Sequence, residues 1–193
     1  MADAIVTGSF AEMQRTTGAG MAKSWLRVEA VILVDVSSSM ETADAGDGDR
    51  EQRVAVARRE VAKLQKRMPG KLAIVNFNHD ASWSPEGRIE NPSGSTNVAG
   101  AMEYVQELLG DAGAAGIKVV VVSDGEPDSA EAALEEAGKL AAKGAVINTV
   151  YCGPDRGLGK GFLTRLAAAG KGEFGEAVLV KALENAIVKL LSA

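Results

Sequence analysis

The residues best suited to chemistry in this 193-residue chain are Asp35, Ser37 and Ser39, in Asp35-Val36-Ser37-Ser38-Ser39 directly after an apolar run over residues 28–34. Alternate positions on an extended or looping backbone point to one side, so an acid and two hydroxyls converge. Oxygen-only sets of this kind suit a hard cation such as Mg²⁺, which takes carboxylate, hydroxyl and water oxygens in an octahedron. For the five residues alone, a helix cap followed by solvated serines is the competing account. Two further oxygen-bearing positions lie downstream. Thr96 stands in the turn-rich Pro92-Ser93-Gly94-Ser95-Thr96-Asn97, and Asp124 ends the most emphatic apolar run of the chain, in Ser123-Asp124-Gly125.

Other candidates are weaker. His79, the sole histidine, is the one imidazole available as a general base, and a surface position accounts for it equally well. The glycine-rich stretch 153–161 suggests a phosphate loop but fails the G-x-x-x-x-G-K-[ST] pattern, with Pro154 and Gly161 at the wrong places. Cys152 is the only cysteine, which excludes an intrachain disulfide or a cysteine-based zinc site and favours a reducing compartment. The acidic loop 41–50, with Asp44, Asp47 and Asp49, does not match an EF-hand; beside Asp35 it could shield a metal or repel acidic ligands.

These residues need strands to carry them. The run 28–34 is rich in β-branched residues and too short for a comfortable helix, as expected of a strand buried on both faces. An amphipathic helix over 51–68 and a strand over 72–77 complete a right-handed βαβ unit, which makes the two strands parallel. A short antiparallel edge strand is expected over 81–84, then a helix from the Thr96 loop to about Leu109 and a strand over 117–122. Helix 129–143, strand 145–151, a short helix over 162–169, an edge strand near Phe174 and a last amphipathic helix over 178–191 follow. The alternation predicts an α/β fold: an open, doubly wound, mostly parallel sheet of about six strands with helices on both faces. Ligands of such sheets bind beyond the carboxyl ends of the strands, where strand order reverses, and Asp35 and Asp124 both stand at strand ends.

A net charge of −5, with acids and bases mixed along the helices, argues against nucleic-acid binding. No basic start precedes an apolar leader segment and no run reaches membrane-spanning length, so a cytoplasmic protein without membrane insertion is expected. Residues 1–24 read as a loosely ordered extension with a short helical stretch around 10–15, and 25–193 as the domain proper.

Asp35-Val36-Ser37-Ser38-Ser39-Met40, the later Thr96 and the Asp124-Gly125 pair resemble the von Willebrand factor type A (VWA) domain with its metal-ion-dependent adhesion site (MIDAS). The positions agree in type, order and approximate spacing, and the resemblance runs from about residue 28 to 191. It implies a Rossmann-like sheet and a metal site of Asp35, Ser37, Ser39, Thr96 and Asp124, the hydroxyls touching Mg²⁺ and the carboxylates acting largely through water. Mn²⁺ and Ca²⁺ are the alternative ions. It further implies a non-enzymatic module that binds an Asp or Glu side chain of a protein partner through the metal, similar to the stand-alone bacterial members found with ATPases and other complexes. The competing expectation is a Mg²⁺-dependent phosphoryl-transfer or hydrolytic enzyme; it needs a phosphate cradle or cationic clamp beside the acids, and none stands in sequence beside Asp35 or Asp124.

Overall fold

Six-residue runs dominated by Val, Ile, Leu and Ala form the central strands, because side chains that branch at Cβ or pack without polar atoms suit a sheet covered on both faces. In the computed structural model, which describes residues 5–17, 28–44, 51–153, 159–176 and 187–189, β1 (Ala30–Asp35) and β2 (Leu72–Phe77) are buried along their whole length. β3 (Ala81–Ser84), β4 (Lys118–Ser123), β5 (Val146–Tyr151) and β6 (Lys171–Glu176) complete one sheet in the order β3-β2-β1-β4-β5-β6. All pairings are parallel except β2 with the edge strand β3. The expected open α/β sheet of about six mostly parallel strands is what the chain forms.

Alternation along the strands divides the interior in two. Val31 and Leu33 of β1 face a core shared with Val98, Met102 and Val105 of α3 (Val98–Gly113), Ala133 and Leu140 of α4 (Ala130–Ala142), and Leu163 and Leu166 of α5 (Gly159–Ala169). Ala30, Ile32 and Val34 face the other core, with Val54, Val61 and Leu64 of α2 (Arg53–Arg67) and with Ile187. With one strand of period two feeding both layers, a one-residue slip would turn each side chain to the wrong core, which fixes the register.

The helices follow their expected spans closely. α3 contains a non-helical residue, Gly110 at φ 63°, so its regular part stops at the expected Leu109. Asn97 caps it by accepting from the Gly100 N–H at 3.0 Å, and Ser129 caps α4 by accepting from the Ala132 N–H at 3.4 Å. Of the last helix expected over 178–191, residues 187–189 are helical and the remainder lies outside the described residues, as do Trp25, Leu26, Asp47, Asp49 and residues 154–158.

The segment before β1 contains the expected helix, α1 (Phe10–Thr17), and it is docked rather than loose over residues 5–17. Phe10 is buried and meets Trp83 edge-on at 5.2 Å between ring centroids. Backbone bonds run from Val6 N–H to Glu86, from Ala11 N–H to Pro85 and from Gly70 N–H to Gly8. Gly8 takes φ 81°, and a Cβ there would collide with the Gln65 carbonyl, so only glycine fits. Composition hides this docking: small and polar residues read as a solvated arm, whereas one aromatic, one close glycine contact and three backbone hydrogen bonds hold it.

Truncating Phe10→Ala is expected to lower the unfolding free energy by about 3 kcal/mol, as for other buried aromatics. Urea denaturation of the two proteins measures it; an unchanged midpoint would mean that α1 adds nothing to the folded unit.

Candidate functional site

Strand order reverses between β1 and β4. From β1 the chain builds β2 and β3 to one side, then returns to lay β4 against the other side of β1. The carboxyl ends of these neighbours part there and leave a crevice, the position where open α/β sheets bind ligands. Asp35 is the last residue of β1 and Asp124 directly follows β4.

Asp35 has no exposed surface. Its Oδ1 accepts the Ser37 N–H at 2.7 Å and its Oδ2 accepts the Ser123 hydroxyl at 2.6 Å, so both oxygens are fixed. Burial pushes its pKa up to about 6; the bonds from Ser123 and Ser37 oppose that shift, and the nearby Asp124 charge adds to it. The Ser37 and Ser39 hydroxyls lie 3.0 Å apart, and Ser39 donates to Asp124 Oδ1 at 2.8 Å. Residues 35, 37, 39 and 124 therefore form one connected set. Ser37 is buried, while Ser39 is exposed and opens the set to solvent.

Thr96 reaches the same place from the loop before α3. Asp128 anchors that loop by accepting the Thr96 N–H at 3.1 Å and the Ser95 hydroxyl at 2.7 Å, and its own N–H returns to the Thr96 carbonyl at 3.0 Å. Ser38 donates from both backbone and side chain to the Gly94 carbonyl, joining this loop to the turn after β1. A Cβ built on Gly125 would lie 3.7 Å from Ser39 Oγ and 3.9 Å from Thr96 Oγ1. The missing side chain leaves a space flanked by two hydroxyls, one of which, Ser39, donates to Asp124. All five residues singled out in sequence are thus brought to one rim.

Among the described residues no three His, Cys, Asp or Glu side chains gather as a metal cluster. The donor set is instead three neutral hydroxyls and two carboxylates, which suits a hard, oxygen-seeking ion and gives a soft one nothing to prefer. An octahedral ion that keeps waters fits such a set, because hydroxyls satisfy it without cancelling its charge.

Three residues at the site were not singled out in sequence. Ser123 links the two strand ends, since its oxygen also accepts the Gly125 N–H at 3.2 Å. Asp128 has no motif of its own. Arg53, at the first position of α2, donates to Asp124 Oδ2 and, from Nε and a terminal nitrogen, to both oxygens of Asp44 at 2.7 and 2.5 Å. A cation at a helix amino terminus opposes the helix dipole, so the two acids are what hold it there. Asp44 is accordingly tied to Arg53, which holds its carboxyl below the usual range, so this part of the acidic loop is pinned.

The remaining candidates stand apart from this network. His79 is exposed on the same end of the sheet and takes part through its carbonyl, which accepts from Asn97. Cys152 is buried with its sulfur 3.9 Å from that of Met40, and burial raises its thiol pKa well above the ordinary value, so it is held as a neutral packing group.

Because the folded state raises the Asp35 pKa, it favours the protonated carboxyl. The associated stability is fully present below pH 4 and is lost as pH rises through about 6. In metal-free buffer, wild type is expected to lose on the order of 3 kcal/mol relative to Asp35→Asn between pH 4 and pH 7. Urea titrations of both proteins across that range measure the difference; a constant gap would mean that burial does not dominate the Asp35 environment.

No protein-family model matches the chain, and no curated protein matches it in sequence. Solved structures do match in three dimensions. An aerotolerance-related membrane protein from Bacteroides fragilis superposes with a TM-score of 0.66 at 18% identity, over 86% of this chain and 98% of that one. The VWA domain of SpRpn10 gives a TM-score of 0.62 at 12% identity, over 82% and 94%. Proximal thread matrix protein 1 from the mussel byssus, in a form with a zinc-occupied MIDAS motif, gives 0.63 at 16% identity; this chain spans 47% of that longer protein. The strand order, the two helical layers and these superpositions together show that the chain has the fold of the von Willebrand factor type A domain.

Proposed function

We propose that this protein is a Mg²⁺-dependent interaction module that captures an Asp or Glu side chain of a partner protein. One observation carries the reading: the hydroxyls of Ser37, Ser39 and Thr96 gather with Asp35 and Asp124 around the space over Gly125, at the crevice where the sheet opens. Ser37, Ser39 and Thr96 hold the ion through hydroxyl oxygens. Asp35 and Asp124 balance its charge from further out, each Asp35 oxygen already accepting one hydrogen bond, from the Ser37 N–H and the Ser123 hydroxyl. When bound, the ion supplies an electrophilic position at which a carboxylate completes the coordination shell. Exposed Ser39 marks the side from which that carboxylate arrives.

The module is non-enzymatic in this reading. Phosphoryl transfer needs cationic groups free to meet a phosphate, and Arg53 is taken up by Asp44 and Asp124. The occupied MIDAS of the mussel protein supports a divalent ion at the corresponding place. Mg²⁺ is the proposed ion, and Mn²⁺ is its experimental surrogate. Among the described residues no helix is long and apolar enough to cross a membrane. A cytoplasmic adaptor within a bacterial, ATPase-linked multiprotein complex is the setting we propose.

Calorimetric titration of Mn²⁺ and Mg²⁺ into the metal-free protein is expected to show one saturable site, tightened by sodium acetate at constant ionic strength. The double variant Asp35→Ala, Ser37→Ala and the single variant Thr96→Val are expected to weaken binding tenfold or more, on the scale of about 1.4 kcal/mol per decade. A wild-type protein that binds neither ion with or without acetate would overturn the reading.

A further inference from the structure

Arg53 is the feature that the proposed metal chemistry does not absorb. Its side chain is buried and carries a full positive charge into a site proposed for a cation. It sits where the α2 dipole disfavours it, so the two acids that grip it must be what keeps it there. Its planar fork divides between them, with Nε and one terminal nitrogen on Asp44 and the other terminal nitrogen on Asp124 Oδ2. Asp124 Oδ1 is taken by Ser39. Both oxygens of Asp124 are therefore engaged, one of them by a permanent charge. Asp44 differs in exposure: two-fifths of its side-chain surface is open to solvent, whereas Asp124 has none.

We infer that Arg53 is a resident counter-cation that competes with the divalent ion for the charge of Asp124 and so sets how strongly the site depends on a partner's carboxylate. The inference rests on the proposed reading of the site and names what regulates it. With Asp124 partly neutralised, the protein supplies the ion with less negative charge, and an incoming carboxylate makes up the difference. Asp44 tunes the competition by drawing the guanidinium outward. Like charges a few ångströms apart in a partly buried site interact by several times the thermal energy, so the balance is large enough to read in affinity. Arg53 belongs to the chain itself, and its effect on the ion is independent of which partner docks.

The test is Mn²⁺ affinity, measured by calorimetry without and with sodium acetate at constant ionic strength, for wild type, Arg53→Gln and Asp44→Asn. Arg53→Gln is expected to bind Mn²⁺ alone about tenfold or more tightly and to gain less from acetate than wild type. Asp44→Asn, a change at a partly exposed position, leaves Arg53 entirely to Asp124; it is expected to bind Mn²⁺ more weakly and to gain more from acetate. Opposite shifts of the two variants would support the competition. Wild-type affinities in both variants would overturn it while leaving the metal-site reading intact, and weaker binding by Arg53→Gln with Asp44→Asn unchanged would make Arg53 a support for Asp124 and overturn it as well. If Arg53→Gln fails to fold, as judged by circular dichroism, Asp44→Asn decides alone: a drop in affinity supports the inference and no change refutes it. Absence of wild-type binding in both buffers would remove the metal-site reading and this inference together.

Discussion

A carboxylate with no exposed surface is costly unless its oxygens are met, and Asp35 has that position at the end of β1. The Ser37 N–H and the Ser123 hydroxyl meet them from the two chain segments that leave the crevice. This small bridge ties β1 to β4 above their last shared hydrogen bonds. From it follow the direction of the turn after β1, the place of Ser39 against Asp124, and the closeness of the Gly125 backbone to both hydroxyl loops. The sheet supplies a rigid frame, and the buried acid converts the frame into a defined mouth.

A second constraint comes from loops that are anchored away from the mouth. Asp128 fastens the Thr96 segment, and Gly94 accepts from Ser38 across the gap between loops. This edge of the molecule is thus composed of turns, yet each turn is held by at least one bond to a neighbouring segment. Hydroxyls positioned in this way keep their geometry without themselves carrying charge, which is what a binding site needs if the charge is to come from outside.

Most of the fold was legible because its strands are short apolar runs punctuated by glycine, proline and small polar residues. The strands expected over 72–77 and 81–84 have the boundaries that β2 and β3 adopt. The gathering of residues 35, 37, 39, 96 and 124 was legible from their position at strand ends and in turns. Arg53 was not, since its pairing joins positions 71 residues apart in sequence and one arginine among the four of an amphipathic helix looks like any solvated face. Asp128 was hidden for the same reason: its partners, Ser95 and Thr96, lie in a different loop. Periodicity reports which face of an element is buried, but it does not report which polar groups meet when two elements pack.

The docking of α1 has a mechanical consequence. The sheet separates two cores that share strands but no helices, which by itself would let one helical layer loosen while the other stayed packed. Residues 5–17 touch both sides at the β3 edge: Gly8 lies against the α2 layer through Gln65 and Gly70, and two residues later Phe10 enters the core on the α3 side beside Trp83. A segment tied to both layers links their opening at this edge, which favours their melting together and shields the edge strand between them from fraying.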